Sequence, residues 1–168
     1  MLKRWVIVPS LAAVLLLGGC DSELLGRLDK LEQSAQQSAQ AGAAFLAKNA
    51  TRADVVTTAS GLQYRVIRMG DGVKPTLADR VRAHYRGALI DGTPFDSSYE
   101  RGEPAVFPVN RLIPGWTEAL QLMPEGSHWE LFVPAELAYG KRSPSAKIPP
   151  NSTLVFELEL QQVLASGD

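Results

Sequence analysis

An α+β domain, an antiparallel β-sheet wrapped around one short α-helix, is the fold this sequence predicts, and three observations carry the expectation. Several segments between Gly61 and Val163 alternate apolar and polar residues with period two, the mark of antiparallel strands with one face in water. Among them lies a single stretch with helical spacing, "IPGWTEALQLMPEG", which Pro114 opens and Pro124 and Gly126 close. Residues 1–59 differ in kind: an apolar leader, then a segment rich in Ala, Gln and Ser.

At the start, Lys3 and Arg4 precede "WVIVPSLAAVLLL", an apolar run interrupted by Pro9 and Ser10. The run falls short of the ~20 residues a spanning helix needs, so residues 1–19 read as an export signal. It ends in "LGGC", and the small residues before the lone Cys20 resemble a bacterial lipobox. That resemblance implies cleavage before Cys20, a diacylglycerol on its sulfur and an acyl chain on the new amine. The plainer reading is a free thiol at the end of an ordinary cleaved signal. Several acyl chains hold a protein on a bilayer where one is marginal. Cleavage takes two of the 17 basic side chains and leaves the 18 acidic ones in excess. The lipid, not a basic patch, would then tether the protein in the cell envelope, facing the periplasm. A lipidated Cys20 leaves no cysteine for a disulfide or a thiolate metal site.

Residues 20–59 read as a helical spacer and linker. Leu24, Leu28, Leu31, Ala35, Ala39, Gly42 and Leu46 recur at spacings of four and three, a helical stripe. Its second half is too alanine-rich to bury much area. Two readings stand: a polar spacer between anchor and domain, or a helix over 22–48 that pairs with a second copy in a homodimer. "TRADVVTTAS" leads out of it as a linker.

The domain proper is expected over 60–164. "GLQYRVIRM" puts Leu62, Tyr64 and Val66 on one face; "DRVRAHYRGAL" sets Val81, Ala83, Tyr85 and Leu89 against Arg80, Arg82, His84 and Arg86. Asp91-Gly92 marks a tight turn. In the helix, Trp116, Leu120 and Met123 share a face. "SHWELFVP" and "STLVFELELQQV" are further strands, the second with Leu154, Phe156, Leu158 and Leu160 on one side.

Several function classes fall away. Charge is nearly balanced, 17 basic against 18 acidic, and no basic stripe is interleaved with aromatics, which disfavours nucleic-acid binding. "DGTPFDSSYERG" places Asp96 beside Ser97 and Ser98, but a Ser-His-Asp hydrolase needs a histidine in reach. His84 and His128 both fall on the outer faces of their strands and read as surface histidines. No nucleophile elbow or phosphate loop is present, and two histidines so placed make a metal site unsupported. No cofactor is indicated.

What recurs is aromatic residues at inward positions: Tyr85, Phe95, Phe107, Trp116, Tyr139 and Phe156. A plain aromatic core would explain most of them. Tyr139, however, sits in the loop "AYGKRSPSAKIPP", where no core residue is needed, and Asp96 directly follows Phe95. An aromatic-lined concavity with a few fixed polar groups suits a small ligand or a peptide.

"VRAHYRGALIDGTPFDSS", "LIPGWTEAL", "AYG" and "IPPNSTLVFELEL", in this order over roughly Ser60 to Val163, resemble the FKBP-type peptidyl-prolyl cis–trans isomerases. The details are most similar to the bacterial branch that includes the macrophage infectivity potentiator proteins. The resemblance implies a rotamase that assists the folding of proline-containing, unfolded or extracytoplasmic polypeptides. It implies a pocket lined by Tyr85, Phe95, Asp96, Phe107, Leu112, Ile113, Trp116, Tyr139, Ile148 and Phe156. Trp116 would be its floor, the Ile113 N–H and the Tyr139 hydroxyl would bind substrate carbonyls, and Tyr85 and Arg101 would hold Asp96. Ser97 and Ser98 then become turn formers that bond local backbone. Inhibition by a macrolide is a further implication. Two positions depart from well-known members: Ala105 stands where many have a second pocket phenylalanine, and Lys147 precedes Ile148 where they have isoleucine. A binding module or holdase chaperone that only grips proline-containing chains is the competing reading.

Overall fold

The alternating segments become strands because each can bury one face and leave the other in water. A computed structural model describes residues 19–164, with side chains from Glu23 onward. The expected export signal and the side chain of Cys20 lie outside the described residues. Among those described, seven strands form one antiparallel sheet: β1 (Val56–Thr57), β2 (Gln63–Arg68), β3 (Arg80–Leu89), β4 (Pro94–Ser97), β5 (Ala105–Pro108), β6 (His128–Val133) and β7 (Leu154–Leu164). Their order is β1-β2-β6-β7-β3-β4, and β5 also pairs with β3. The long strand β3 is thus shared: Arg80–Ala83 face β5 and Arg86–Ala88 face β4. Along its other edge it pairs with β7 from Arg80↔Leu164 to Leu89↔Leu154.

The concave face of the sheet holds α3 (Pro114–Leu122), which starts with proline at its first position, where the missing N–H costs nothing. Trp116, Ala119 and Leu120 point into the sheet, and Met123 at the helix end joins them, each at most 4% exposed. They meet Val81, Ala83 and Tyr85 of β3, Leu131 and Val133 of β6, and Leu154 to Leu160 of β7 in one core. The expected alternation therefore holds on β3 and β7. It fails on β2, where Val66 is 37% exposed beside an irregular register between Val66 and Arg68, and Gln63 is buried instead.

The leading helix, α1 (Gly19–Asn49), is continuous. Leu24, Leu28 and Leu31 are exposed, but the second half does not behave as a detached spacer. Its small residues permit close approach: a Cβ on Gly42 would overlap the Thr153 hydroxyl. Further along, Phe45 packs its ring 5.8 Å from that of Phe132. Buried Asn49 donates to Gln63 Oε1 at 2.9 Å, and Gln63 Nε2 donates to the Leu46 carbonyl at 3.0 Å. The linker supplies β1, paired Val56↔Tyr64 and Thr57↔Gln63.

A short helix not foreseen in the sequence, α2 (Ser98–Arg101), follows β4 directly. Ser97 caps it by accepting from the Glu100 N–H, and Gly102 closes it in the left-handed region at φ 79°. The Ser97–Glu100 spacing is the capping-box pattern, so the signal was present.

Candidate functional site

The inward alternation of β3 aims Tyr85 at the core side, and β4 brings Phe95 and Asp96 alongside it. One turn of α2 later, Arg101 folds back over both. Tyr85 Oη donates to Asp96 Oδ2 at 2.5 Å, Arg101 Nη1 to Asp96 Oδ1 at 2.5 Å, and Arg101 Nη2 to Tyr85 Oη at 2.8 Å. The guanidinium also lies 5.4 Å from the Tyr85 ring centroid, a cation–π distance. These three groups close a ring of charge-assisted bonds at the mouth of a concavity.

That concavity has a volume of about 300 Å³ and is lined by Tyr85, Phe95, Asp96, Phe107, Arg111, Leu112, Ile113, Trp116, Tyr139 and Phe156. Trp116 lies at its centre, and three rings meet the indole at near right angles. Tyr85 stands at 5.3 Å and 83°, Phe107 at 5.8 Å and 87°, and Phe156 at 5.3 Å and 82°. Such edge-to-face packing fixes the indole plane from three sides. Its N–H is buried without an acceptor among the described residues, so the ring is oriented by its packing neighbours. Phe95 in turn stands edge-on to Phe156 at 5.7 Å.

Electrostatics set Asp96 apart from the aromatic walls. Burial opposes its ionisation, but the hydrogen bonds from Tyr85 and Arg101 outweigh that, and the carboxyl is held below its ordinary value. Burial, helped by the Asp96 bond, pushes the Tyr85 phenol up, and burial, helped by the Asp96 charge, does the same for Tyr139. Both phenols therefore stay neutral donors at physiological pH. The hydroxyl of Tyr139, a residue 38% exposed, makes no hydrogen bond among the described residues, nor does the Ile113 N–H just ahead of α3. Two free donors thus flank an apolar hole with a fixed anion on its edge.

Of the ten residues expected to line the pocket, nine do so; Ile148 stands elsewhere. Ile148 is 5% exposed in the core, where its carbonyl accepts from the Ser143 hydroxyl and pins the loop. Arg101 acts behind the wall, through Asp96 and Tyr85. Ser98 is no local turn former. Fully buried, it accepts from the Tyr85 N–H at 2.7 Å and lies 2.8 Å from His84 Nδ1, tying α2 to β3. Both histidines are half-buried on the outer sheet face rather than free at the surface: His84 stacks on Tyr99 at 4.5 Å, and His128 pairs with Glu157 at 2.8 Å. Neither lines the pocket.

Two residues escaped the sequence reading. Arg111 lines the cavity, and nothing in its pattern distinguished it from a surface arginine. Gly87 is the missing member of the inward series on β3: a Cβ there would lie 2.5 Å from Phe95 Cε2 and 3.0 Å from Phe156 Cε1. A glycine interrupting a strand often marks such a close approach, so this signal was legible. Among the described residues no group of histidine, cysteine and acidic side chains is arranged to hold a metal ion, and no helix is long and apolar enough to cross a membrane.

Comparison with known proteins agrees with this geometry. The family model described as FKBP-type peptidyl-prolyl cis-trans isomerase matches residues 72–161, and the model for the domain amino-terminal to it matches 24–66. The chain is 60% identical over 132 residues to the FKBP-type 22 kDa peptidyl-prolyl cis-trans isomerase of Escherichia coli, covering 79% of this chain and 64% of that one. It is 50% identical over 137 residues to the outer membrane protein MIP of Legionella longbeachae, covering 82% and 59%. The chain thus spans somewhat under two thirds of the length of these relatives. The crystal structure of FkpA from Escherichia coli superposes with a TM-score of 0.80 at 39% identity, covering 90% of this chain and 75% of that one.

Proposed function

The chain belongs to the FKBP-type peptidyl-prolyl cis–trans isomerase family, and we propose that it accelerates X-Pro isomerisation in proline-containing polypeptides. The observation that carries this reading is the Trp116-centred aromatic hole edged by the Tyr85–Asp96–Arg101 ring. An X-Pro bond isomerises over tens to hundreds of seconds because its conjugation must be broken, against a barrier of about 18–20 kcal/mol. No covalent bond breaks, so the reaction needs no nucleophile. Twisting the amide localises the nitrogen lone pair and reduces charge separation. A dry aromatic pocket therefore disfavours the planar amide more than the twisted one.

In this mechanism the proline ring lies on the Trp116 indole between Phe95, Phe107 and Phe156. The Ile113 N–H and the Tyr139 hydroxyl donate to substrate carbonyls, holding the chain while the bond turns. Asp96, kept ionised and immobile by Tyr85 and Arg101, supplies a fixed negative edge. An acceleration of five orders of magnitude needs only about 7 kcal/mol of such differential stabilisation. Proline-limited refolding of a test protein decides the matter: the full chain shortens the slow phase, a rapamycin-type macrolide abolishes the effect, and no acceleration overturns the reading.

The proposal extends to placement. Residues 1–19 act as a signal, Cys20 carries the lipid, and the domain of residues 60–164 works in the periplasm on extracytoplasmic clients. Mass spectrometry of the mature N-terminus tests this: an unmodified cysteine thiol rules the anchor out. The 22–48 segment of α1 pairs two copies, a reading supported by its exposed leucines.

A further inference from the structure

Two charged side chains line the cavity, and their circumstances differ. Asp96 is already engaged, accepting from Tyr85 and from Arg101. Arg111, exposed at the end of the 3-10 turn that precedes Leu112, makes no hydrogen bond or ion pair among the described residues. The loop from Tyr139 to Ile148 adds Lys141, Arg142 and Lys147, all exposed and all without an ion-pair partner there. A chain of net charge −1 thus sets one unpaired cation in its pocket lining and three more in the loop that supplies Tyr139.

We infer that Arg111 is a specificity-determining residue that favours substrates bearing a carboxylate side chain next to the proline. This rests on the isomerase reading above. A proline seated on Trp116 leaves its flanking residues at the rim, where Arg111 stands. A glutamate there gains an ion pair without breaking one inside the protein, because the guanidinium has no internal partner to surrender. A lysine there meets like charge. An exposed pair shifts an equilibrium by roughly 1.5- to 5-fold, so attraction and repulsion together separate glutamate from lysine by up to about tenfold.

Magnetisation-exchange NMR on short peptides tests this with the full chain. Two series carry Glu, Gln or Lys, one series immediately before the proline and one immediately after. The expected result is a Glu-over-Lys ratio in kcat/KM of roughly three to ten in one series at low salt. It collapses toward one at about 0.5 M salt, where the screening length is roughly 4 Å. Arg111→Gln shrinks the ratio and Arg111→Glu inverts it; inversion separates charge reading from damage to the fold, which would lower every rate alike. Equal rates for Glu and Lys in both series overturn the inference while leaving the isomerase intact. No catalysis of any peptide instead overturns the reading beneath it. A ratio unchanged by Arg111→Glu assigns the preference elsewhere and likewise refutes the role given to Arg111.

Discussion

Asp96 illustrates how much an exposed carboxylate can be fixed by its neighbours: 45% of its side chain is accessible, yet it accepts from both Tyr85 and Arg101. Its pKa is depressed in the fold despite the opposing effect of burial. The stability linked to it is therefore complete above the ordinary carboxylate range, near 3.9, and is lost as pH falls through the lower folded value. Removing the Tyr85 donor by Tyr85→Phe moves the Asp96 titration up toward about 3.9, read from its side-chain carboxyl ¹³C shift. The same substitution lowers kcat/KM about tenfold, the effect of roughly 1.4 kcal/mol lost in orienting the anion. An unchanged titration would show that Arg101 alone holds the charge. Gly87 makes the complementary case in the apolar wall. Gly87→Ala drives a methyl into Phe95 and Phe156, and overpacking of this kind costs about 1–3 kcal/mol. It lowers Tm and raises KM, because the ring that yields is a pocket wall. A raised Tm would refute that geometry.

Elements were legible where period and burial agree. β3 and β7 were readable because each buries alternate residues against one helix, and α3 because Trp116, Leu120 and Met123 share a face and Pro114 starts it. Tyr85, Trp116 and Phe156 stood at inward positions of these elements, but their grouping with Asp96, Leu112, Ile113 and Tyr139 into a pocket came from the resemblance to the FKBP-type isomerases. Val66 misled because it keeps its register opposite buried Trp129, but β1 pairs only with Gln63 and Tyr64 and leaves it 37% exposed, a matter of tertiary cover that no two-residue period encodes. Ile148 misled for a similar reason: hydrogen bonds within its own loop, not its type, decide that it faces the core. The docking of α1 was hidden because alanine and glycine signal weak burial in isolation, whereas here they permit contact. That docking has a discrete polar lock in the Asn49–Gln63 pair. Asn49→Ala leaves a buried Gln63 oxygen without that donor, a cost of about 1–3 kcal/mol. Hydrogen exchange quickens across residues 42–52 while β3 and β7 keep their protection. Equal quickening in the sheet would mean that the helix end belongs to the global folding unit.

At the scale of the whole molecule, α1 carries one stripe whose two ends have different fates. The C-terminal end of its stripe, with Gly42, Phe45 and Asn49, is committed to the domain, while Leu24, Leu28 and Leu31 at the N-terminal end, at 57%, 48% and 57% exposure, have no apolar cover among the described residues. Three leucines at spacings of four and three form a seam, and a seam on a helix of 31 residues is long enough to pair with another copy. Burying each leucine contributes about 1.5–3 kcal/mol, so two copies together offset much of the cost of association. The full chain is expected to scatter light as a dimer at micromolar concentration, and Leu28→Glu to convert it to a monomer. Because the pocket is built from residues 85–156 of one chain, that monomer keeps its activity on short peptides. It loses efficiency only on unfolded proteins long enough to reach two pockets at once, where tethering raises effective concentration. A chain that remains monomeric at high concentration removes the seam's partner, and with it the expected difference between short and long substrates.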